Sequence, residues 1–496
     1  VKSFIKKNES VKFISFNSKE AIENTLFICK GIHFHEQYLK EAICKGAIGY
    51  ISENKYNNCD SSYLIVNDIR RAMALIINFY YNYASSRLNI VGITGTKGKS
   101  TTCYFVRYIL DEYLNSIKQP KSAVISSIET YDGIIDKESS ITTPEAIELH
   151  RHFDNAIRSK IQFLGMEISS QALKYDRVLG VNFDIGCFSN IDIDHISPIE
   201  HKDFEDYFSS KLKIFEQCTT ACVNIDDKYS EKIQEHAKKA KSIVTFGMDQ
   251  SADIYGYDIK KNGNTLTFKA RILYDKKREE KEFTISMPGL FNVSNALAAI
   301  AICKCLGISE EYMYQGLKKA YVPGRMEVFE SNDKQIVSIV DYAHNKLSYE
   351  SLFESVKKEY PDRKIIAVFG CVGGKALDRR EYMGSIADKY SDYIFLTEDD
   401  CGEEPIMNIC NDLAQYIKRC PFSIIIDRSQ AIESAVSLAK EKSIILLLGK
   451  GRETHMKRGF KNEVCISDVE YIKGLLDKYN QEHILVKEAE VKVATH

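Results

Sequence analysis

Short apolar runs alternate with helix-length segments along most of the chain, and this alternation predicts the order of its secondary-structure elements. Several runs are apolar on both faces, as in parallel strands that helices cover on both sides. The runs that predict strands in the first half include TLFI (25–28), SYLIV (62–66), NIVGITG (89–95), FLGME (163–167) and FDIGCF (183–188). Strands separated by helices indicate an α/β fold with largely parallel sheets.

Residues 254–287 depart from this alternation, because their polar and apolar positions alternate one by one and therefore predict antiparallel hairpins. The segment VPGR at 322–325 has the composition of a linker. A third α/β pass follows, with predicted strands IVSIVDYAH (336–344), KIIAVFGCVGG (364–374), YIFLTEDD (393–400), FSIIID (422–427) and SIILLLGKG (443–451). We predict three domains, over residues 1–88, 89–321 and 322–496.

The composition agrees with this division and excludes several classes of protein. At about 150 residues per domain, 496 residues correspond to three domains. The 67 basic and 69 acidic side chains nearly cancel, so the chain lacks the basic surplus of a typical nucleic-acid binder. The fourteen cysteines form no CxxC pair and are interpreted as reduced thiols, mostly in the core. No apolar run has the length of a membrane span, and the first residues do not resemble a signal peptide, so we expect a cytoplasmic protein.

The segment GITGTKGKST at 92–101 joins a buried strand to a helix and predicts a phosphate-binding loop. Its spacing is a variant of the usual P-loop, with the G-K-S-T ending intact. In such a loop Lys99 reaches the β- and γ-phosphates, and Ser100 binds Mg²⁺. The loop alone does not distinguish a kinase, a motor ATPase, a transporter subunit and a ligase.

A series of further motifs narrows this choice. They are TTPEA (142–146), MEISSQAL (166–173), NIDIDH (190–195), DYFSSKLKIF (206–215), FNVSNALAA (291–299), PGRMEVF (323–329), VDYAHN (340–345), VFGCVGG (368–374) and LLGKGRE (447–453). With these motifs and the phosphate loop the chain resembles the Mur ligases, and the matches run in the family's order from about residue 15 to 470. Within that family it is most similar to the enzymes that add the third residue to UDP-N-acetylmuramoyl-L-alanyl-D-glutamate.

The resemblance implies an ATP-dependent amide ligase of peptidoglycan precursor synthesis, with an N-terminal UDP-sugar domain, a central P-loop ATPase domain and a C-terminal Rossmann-like domain. Such a ligase activates a carboxylate as an acyl phosphate, which an amine then attacks. The catalytic residues implied are Lys99, His195 and Lys211. The implied ligands of Mg²⁺ are Ser100, Glu167, His195 and Lys211, the lysine as a carbamate. The residues implied for ATP are Gly95, Thr96, Gly98, Lys99, Ser100, Thr101, Asn295, Arg325, Asp341 and His344.

The same resemblance implies contact residues for the other two substrates. The residues implied for the UDP-muramoyl dipeptide are Ser18, Thr142, Thr143, Ser169 and Arg177. The residues implied for the incoming amino acid are Arg380, Gly449 and Glu453. A single Ser or Thr at such a position more often caps a helix or closes a turn. We expect ATP, the UDP-muramoyl dipeptide and an amino acid as partners, no nucleic acid and no membrane span, and a monomer.

The identity of the amino acid is a separate question. Family members that use meso-diaminopimelate carry Asp-Asn-Pro-Arg after a third-domain strand, and their arginine binds the distal carboxylate. This chain has Glu398, Asp399, Asp400 and Cys401 there. Three carboxylates repel a distal carboxylate and attract an ammonium, so L-lysine, ornithine or another diamino acid is favoured. The competing interpretation of these carboxylates is a solvated loop.

One further departure and two alternatives stay open. At VGGKAL (372–377) the family's Gly-Gly-Asp-Arg-Asp is missing, and Lys375 or Arg379 is the candidate for the lost arginine's charge. One alternative is a related amide synthetase that acts on another carboxylate. The other alternative is a P-loop ATPase without ligase activity.

Overall fold

The structure is a computed structural model, and its described part has the predicted α/β architecture. It describes residues 10–31, 34–57, 59, 61–196, 200–274, 277–374, 377–439 and 441–494. The candidate Lys375 lies outside these ranges.

A small parallel sheet forms the first unit. Its strands pair in the order β1-β2-β3-β4, all parallel. The apolar side chains of β2, including Leu26 and Phe27, are fully buried. The Asp68 carboxylate caps the second helix by accepting a bond from Arg71 N at 3.0 Å. The elements are β1 (Phe13–Ser15), β2 (Thr25–Ile28), α1 (Glu36–Cys44), β3 (Ala47–Ser52), β4 (Ser62–Ile65) and α2 (Ile69–Tyr80), followed by a 3₁₀ turn at Ala84–Arg87.

The second unit is built on an eleven-stranded sheet. Its strands are β5 (Asn89–Thr94), β6 (Ala123–Ile125), β7 (Glu129–Tyr131), β8 (Asp136–Glu138), β9 (Phe163–Glu167), β10 (Phe183–Phe188), β11 (Cys218–Asn224), β12 (Ser242–Gly247), β13 (Ile254–Asn262), β14 (Thr265–Tyr274) and β15 (Lys277–Ile285). Its helices are α3 (Lys99–Ser116), α4 (Ala146–Arg158), α5 (Ser170–Lys174), α6 (Phe204–Leu212), α7 (Ser230–Ala237), α8 (Phe291–Cys305) and α9 (Glu310–Lys319), with a 3₁₀ turn at Lys213–Glu216.

The strand order explains how this sheet positions the phosphate loop. The order is β15-β14-β13-β12-β11-β10-β5-β9-β6-β7-β8, and β5 runs parallel to both of its neighbours, β10 and β9. The loop after β5 therefore lies at the carboxyl edge of the parallel core, where ligands bind in open sheets. The pairs β13–β14 and β14–β15 are antiparallel, which confirms the hairpins predicted over 254–287.

The third unit has a six-stranded sheet in the order β16-β17-β21-β18-β19-β20, parallel except for β16. Its strands are β16 (Glu327–Glu330), β17 (Ile336–Asp341), β18 (Lys364–Phe369), β19 (Tyr393–Leu396), β20 (Phe422–Ile424) and β21 (Ser443–Leu448). Its helices are α10 (Lys346–Glu359), α11 (Asp378–Tyr390), α12 (Ile406–Ala414), α13 (Arg428–Leu438) and α14 (Asp468–Ala494), and a hairpin of β22 (His455–Arg458) and β23 (Lys461–Val464) follows β21.

Each sheet lies inside one of the three predicted residue ranges, while the domain boundaries themselves stay a prediction.

All fourteen cysteines are free thiols, and ten of them are buried. Within the described part of the chain, no helix is both long enough and apolar enough to cross a membrane.

Candidate active site

A cleft of about 1480 Å³ lies between the second and third units. It opens at the carboxyl ends of the strands of both sheets, where the phosphate loop faces the loops that follow β17, β18, β19 and β21. The structure brings most of the predicted site residues to this one cleft. They are Thr96, Gly98, Lys99, Ser100, Thr101, Thr142, Thr143, Glu167, Ser169, Arg177, His195, Lys211, Asn295, Arg325, Asp341, His344, Asp399, Asp400, Gly449 and Glu453.

Two glycines shape the phosphate loop because other residues pack against their backbone. Gly95 has φ 151° and Gly98 has φ 75°, both in the region that favours glycine. A Cβ atom on Gly95 would lie 2.0 Å from Ser189 Oγ, and one on Gly98 would lie 2.2 Å from Asn295 Oδ1. Asn295 also donates to Asn292 Oδ1 at 3.0 Å. Asn295 therefore packs against the phosphate loop and also lines the cleft.

Two lysine ammonium groups converge on the carbonyl of Gly95. Lys99 Nζ donates to Gly95 O at 3.0 Å and to Thr96 O at 3.1 Å. Lys211 Nζ donates to Gly95 O at 2.8 Å. Lys211 is 2% exposed, whereas Lys213 is exposed to solvent. Positive charge is therefore concentrated beside the loop, where the phosphates of a nucleotide bind.

Burial lowers the pKa of Lys99, and burial together with the Lys99 charge lowers the pKa of Lys211 well below its usual value. Among the described residues, no carboxylate lies within ion-pair distance of Lys211 Nζ. A protonated Lys211 would therefore be repelled by the charge of Lys99. An anion bound in the cleft would relieve this repulsion.

Hydroxyl and carboxylate oxygens line the loop's other side. Ser100 Oγ lies 3.1 Å from Ser127 Oγ. Ser127 donates to Glu167 Oε1 from its backbone N at 2.8 Å and from its hydroxyl at 3.1 Å. Glu167 is 1% exposed, at the end of β9. Oxygen ligands of this kind suit Mg²⁺, which retains several waters and shares phosphate oxygens.

His195 follows β10 in a left-handed backbone conformation, φ 58°. Its side chain is 40% exposed, and Nδ1 lies 2.9 Å from Glu200 Oε1. Over the described ranges, no three His, Cys, Asp or Glu side chains form a metal-binding group. Magnesium needs only one or two protein groups besides phosphate and water. The oxygen and nitrogen atoms of Ser100, Glu167 and His195 therefore suit a magnesium ion, although they do not form a closed protein cage.

The residues predicted for the nucleotide come from both sides of the cleft. Arg325 Nη2 lies 3.5 Å from Ser100 Oγ, and its guanidinium lies over the Tyr342 ring at 4.8 Å. Asp341 accepts a bond from Met326 N at 2.8 Å, which ties the linker to the end of β17. Arg325 therefore connects the phosphate loop with the third unit.

The predicted base contact, His344, is a neutral imidazole. Its Nδ1 lies 2.7 Å from Tyr342 O, and burial lowers the pKa of His344 to about 3. An uncharged ring with one nitrogen committed to the backbone keeps the other nitrogen for a ligand.

The predicted dipeptide contacts form one hydrogen-bonded group. Thr143 Oγ1 donates to Glu167 O at 2.9 Å and accepts from Ser169 N at 3.0 Å. Arg177 donates to Thr143 O at 3.1 Å and pairs with Glu145 at 3.0 Å. The metal site and the dipeptide contacts therefore share one backbone support, the end of β9.

Gly95 and Ser18 do not line the cleft, although both were predicted to contact a substrate. Gly95 is packed against Ser189 and offers its carbonyl to Lys99 and Lys211. Ser18 Oγ donates to Glu41 Oε2 at 2.9 Å inside the first unit. The substrate contacts of both residues stay predictions.

Arg380, predicted for the amino acid, is also outside the cleft. Its guanidinium is 3% exposed and pairs with Glu404 and Asp412, each at 2.6 Å. Its neighbour Arg379 lines the cleft, whereas Arg380 points back to α12. The reason is that adjacent residues of α11 face different sides of the helix.

Glu398 is likewise withdrawn from the cleft. Arg458, at the end of β22, contacts both of its carboxylate oxygens, at 2.7 and 2.9 Å. Asp399, Asp400 and Glu453 do line the cleft. Of the three predicted carboxylates, Asp399 and Asp400 therefore line the cleft and Glu398 does not. Glu453 is the third carboxylate on this side.

A lysine that the sequence did not single out neutralises part of this set. Lys450 is 3% exposed, and its Nζ pairs with Asp400 at 3.0 Å and with Glu453. Burial raises the pKa of Asp399. A Cβ on Gly449, whose φ is 103°, would lie 2.7 Å from Asp399 Oδ2. Gly449 therefore permits the close approach of this carboxylate.

Other cleft residues were missed as well. Asp194 accepts bonds from Asn345 and Arg379, and Ser127 links Ser100 to Glu167. Asp194 could have been noticed because it directly precedes His195 in NIDIDH. Ser127 has no signal in the sequence, since its role depends on where β6 ends.

Comparison with known proteins agrees with this geometry. The model of the Mur ligase middle domain matches residues 93–303, and that of the Mur ligase, glutamate ligase domain matches residues 324–451. A UDP-N-acetylmuramoyl-L-alanyl-D-glutamate–L-lysine ligase of Enterococcus faecalis is 34% identical over 95% of this chain and 92% of its own. A UDP-N-acetylmuramoyl-L-alanyl-D-glutamate–2,6-diaminopimelate ligase of Clostridioides difficile is 36% identical over 90% of this chain and 91% of its own.

Solved structures give the same fold. A UDP-N-acetylmuramoyl-L-alanyl-D-glutamate–2,6-diaminopimelate ligase matches with a TM-score of 0.64 and 23% identity, covering 94% of each chain. The MurF ligase of Thermotoga maritima in complex with ADP matches with a TM-score of 0.61 and 17% identity, covering 95% of this chain and 99% of its own. Since family models match both large units, and relatives more than 30% identical extend along nine-tenths of the sequence, the chain belongs to the Mur ligase family.

Proposed function

We propose that this protein is an ATP-dependent, ADP-forming ligase that adds the third amino acid to UDP-N-acetylmuramoyl-L-alanyl-D-glutamate in peptidoglycan precursor synthesis. The observation that carries the proposal is the single cleft in which the phosphate loop, the dipeptide contacts and the amino-acid loops face one another. The names of both curated relatives support the acceptor, because they specify this same UDP-muramoyl dipeptide.

The proposed reaction has two steps. A carboxylate oxygen of the dipeptide attacks the γ-phosphorus of ATP, and the bond to ADP breaks. The amine of the amino acid then attacks the resulting acyl phosphate, loses a proton and expels inorganic phosphate, which leaves an amide. Lys99 lies where it can stabilise the charge of the transferring group, and Lys211 lies beside it.

Ser100, Glu167 and His195 would hold Mg²⁺, which supplies charge neutralisation on the phosphate oxygens when it is bound. Thr143, Ser169 and Arg177, on the same wall as the phosphate loop, would orient the dipeptide. A cleft closed around the substrates would keep water from the acyl phosphate, which water would otherwise hydrolyse.

We propose that Lys211 is carbamylated, on the basis of its surroundings. Its Nζ is buried, lacks a carboxylate partner among the described residues and has a lowered pKa, all of which favour the neutral amine. The neutral amine can attack carbon dioxide, forming an N–C bond and releasing a proton. The product is a carboxylate that would replace the repulsion between Lys211 and Lys99 by attraction.

For the amino acid we favour L-lysine or another diamino acid without a distal carboxylate. The curated relatives include ligases for L-lysine and for 2,6-diaminopimelate, so identity alone does not decide. Lys450 and Arg452 line this side of the cleft and already pair with carboxylates, Lys450 with Asp400 and Glu453, and Arg452 with Glu327. Arg458, outside the cleft, pairs with Glu398 and Glu463. None of these three is available for a second substrate carboxylate, whereas Asp399 remains on the cleft wall.

The proposed domains are a UDP-sugar domain over residues 1–88, an ATP domain over 89–321 and an amino-acid domain over 322–496. We infer that the protein acts as a monomer, because both walls of the cleft come from one chain. A cytoplasmic location follows from its proposed substrates, ATP and a UDP-linked precursor.

The experiment that tests the proposed function is the release of phosphate from Mg-ATP with each substrate omitted in turn. We expect release only when the UDP-muramoyl dipeptide and an amine are both present, with one amide formed per phosphate. Phosphate release without the dipeptide would favour the ATPase alternative. Activity with a different carboxylate alone would favour an amide synthetase of another pathway.

A further inference from the structure

One carboxylate in the cleft joins the central unit to the third unit. Asp194 follows β10 and directly precedes His195, and its side chain is 6% exposed. Asn345 Nδ2 donates to Asp194 Oδ2 at 2.9 Å, and Arg379 Nη2 donates to Asp194 Oδ1 at 3.1 Å. Each oxygen of this carboxylate therefore holds a donor from the opposite wall.

The two donors stand at the beginnings of two helices. Asn345 caps α10: its Oδ1 accepts from Ser348 N at 3.1 Å and from Ser348 Oγ at 2.7 Å, while its amide nitrogen reaches Asp194. Arg379 is the second residue of α11. Asp194 thereby fixes the start of the helix after β17 and the start of the helix after β18.

Both oxygens of the Asp194 carboxylate accept bonds from the third unit, and a buried carboxylate needs such donors. Loss of either donor would leave an uncompensated charge next to His195.

Several contacts between the two units lie outside the cleft. Lys261 pairs with Glu359 at 3.5 Å, far along α10 from its cap, and Tyr360 OH donates to Asn264 Oδ1 at 3.2 Å. Those contacts attach the third unit, but the Asp194 contact lies inside the cleft. Its position connects the loop of the predicted metal ligand with the loops that carry the amine side.

We propose that Asp194, Asn345 and Arg379 form a positioning junction that sets the amino-acid side of the cleft in register with the phosphoryl-transfer side. This inference rests on the proposed function for its kinetic consequences. Without the junction, the amine would reach the acyl phosphate in a wider range of orientations, and the rate would fall.

The variant Asn345→Asp tests the junction with little disturbance of the fold. Asp and Asn are equally good helix caps, so α10 keeps its cap. The amide donor, however, becomes a second carboxylate facing Asp194. We expect kcat/KM for the amine to fall about 10- to 100-fold, since like charges in contact are strongly unfavourable. KM for the UDP-muramoyl dipeptide stays unchanged, because its contacts lie in the other two units.

A reversed pair provides the rescue. In Asp194→Asn combined with Asn345→Asp, donor and acceptor exchange sides, and Arg379 can pair with the new carboxylate. We expect at least a tenfold recovery of kcat/KM for the amine relative to Asn345→Asp. A matched control is Asp427→Asn, an exchange at the exposed cap of α13, where Asp427 accepts from Gln430 N at 2.9 Å. This control should retain wild-type kinetics.

Two results would overturn the proposal. One is a kcat/KM for the amine within twofold of wild type in Asn345→Asp. The other is a double variant whose kcat/KM for the amine is no higher than that of Asn345→Asp. A merely structural role predicts this result, because the damage of the two substitutions would then add. It also predicts an equal fall of kcat with all substrates.

Small-angle X-ray scattering of the ligand-free proteins separates this inference from the proposed function. We expect a larger radius of gyration for Asn345→Asp than for wild type, reversed in the double variant. If wild type forms no amide with any amine, the proposed function fails, and scattering alone decides the junction. Equal radii for all three proteins would then overturn it.

Discussion

The two walls of the cleft are built in different ways. The phosphate wall is made largely by backbone: the loop from Gly95 to Thr101 needs glycine at two positions, and the bonds from Lys99 to its carbonyls span at most four residues. The amine wall is made by charges from distant segments, such as the pair of Asp400 with Lys450, fifty residues apart. A motif specifies the first wall, whereas only the tertiary structure specifies the second.

This difference predicts that single substitutions on the phosphate wall abolish activity, while those on the amine wall redistribute charge. The largest effect is expected for Lys99→Ala. Loss of a preorganised cation at the transferring phosphate should lower kcat by about 10²–10³-fold. The measurement is steady-state release of phosphate. Lys213→Ala, at an exposed lysine, is the control and should match wild type.

Lys211→Ala should have the next largest effect, a fall in kcat of about 10²-fold, because a charged group beside Gly95 is removed. The wild-type enzyme should lose activity when bicarbonate and carbon dioxide are depleted and regain it when they are restored. Full activity of Lys211→Ala at every bicarbonate concentration would remove the carbamate from the account.

Gly98→Ala tests whether backbone shape is the main requirement on the phosphate wall. A methyl group 2.2 Å from Asn295 Oδ1, at φ 75°, forces the loop to move. We expect KM for ATP to rise about tenfold, from a strain of 1–3 kcal/mol. Asn295→Ala in the same chain relieves the contact and should recover part of the loss. An unchanged KM for ATP would indicate that the phosphates of ATP bind away from this loop.

On the amine wall, Arg380→Ala should lower stability more than catalysis. Its guanidinium pairs with Glu404 and Asp412, and its loss should lower the free energy of unfolding by about 2 kcal/mol. Thermal denaturation measures this change. The folded fraction should keep its KM for the amine within about twofold. A large rise in that KM would restore Arg380 as a substrate contact and contradict a purely structural role for its ion pairs.

The smallest effect is expected for Glu398→Gln, because Arg458 already neutralises this residue away from the cleft. KM for the amine should change by less than about twofold, whereas Asp399→Asn should raise it several-fold. Comparison of the two variants at equal folded concentration provides the measurement. Equal effects would mean that the whole carboxylate run faces the substrate.

Much of the fold and of the phosphate wall could be predicted from the sequence, because both depend on local patterns. The strand at 163–167 and the hairpins over 254–287 follow from apolar periodicity. The phosphate-loop motif pointed to Lys99 and the family resemblance to Glu167, and both line the cleft. The predicted residues outside the cleft share a feature, since Ser18, Arg380 and Glu398 are each occupied by a partner that is distant in the sequence or lies on another element.

The central claim is that this cleft joins an activated UDP-muramoyl dipeptide to a diamino acid without a distal carboxylate. The most direct measurement is a competition between L-lysine and meso-diaminopimelate, with Mg-ATP and UDP-N-acetylmuramoyl-L-alanyl-D-glutamate, in which the amide products are quantified. We predict that kcat/KM for L-lysine exceeds that for meso-diaminopimelate by at least about tenfold. Preferred incorporation of meso-diaminopimelate would contradict the charge argument for the amine wall, and no amide with either amine would contradict the proposed function itself.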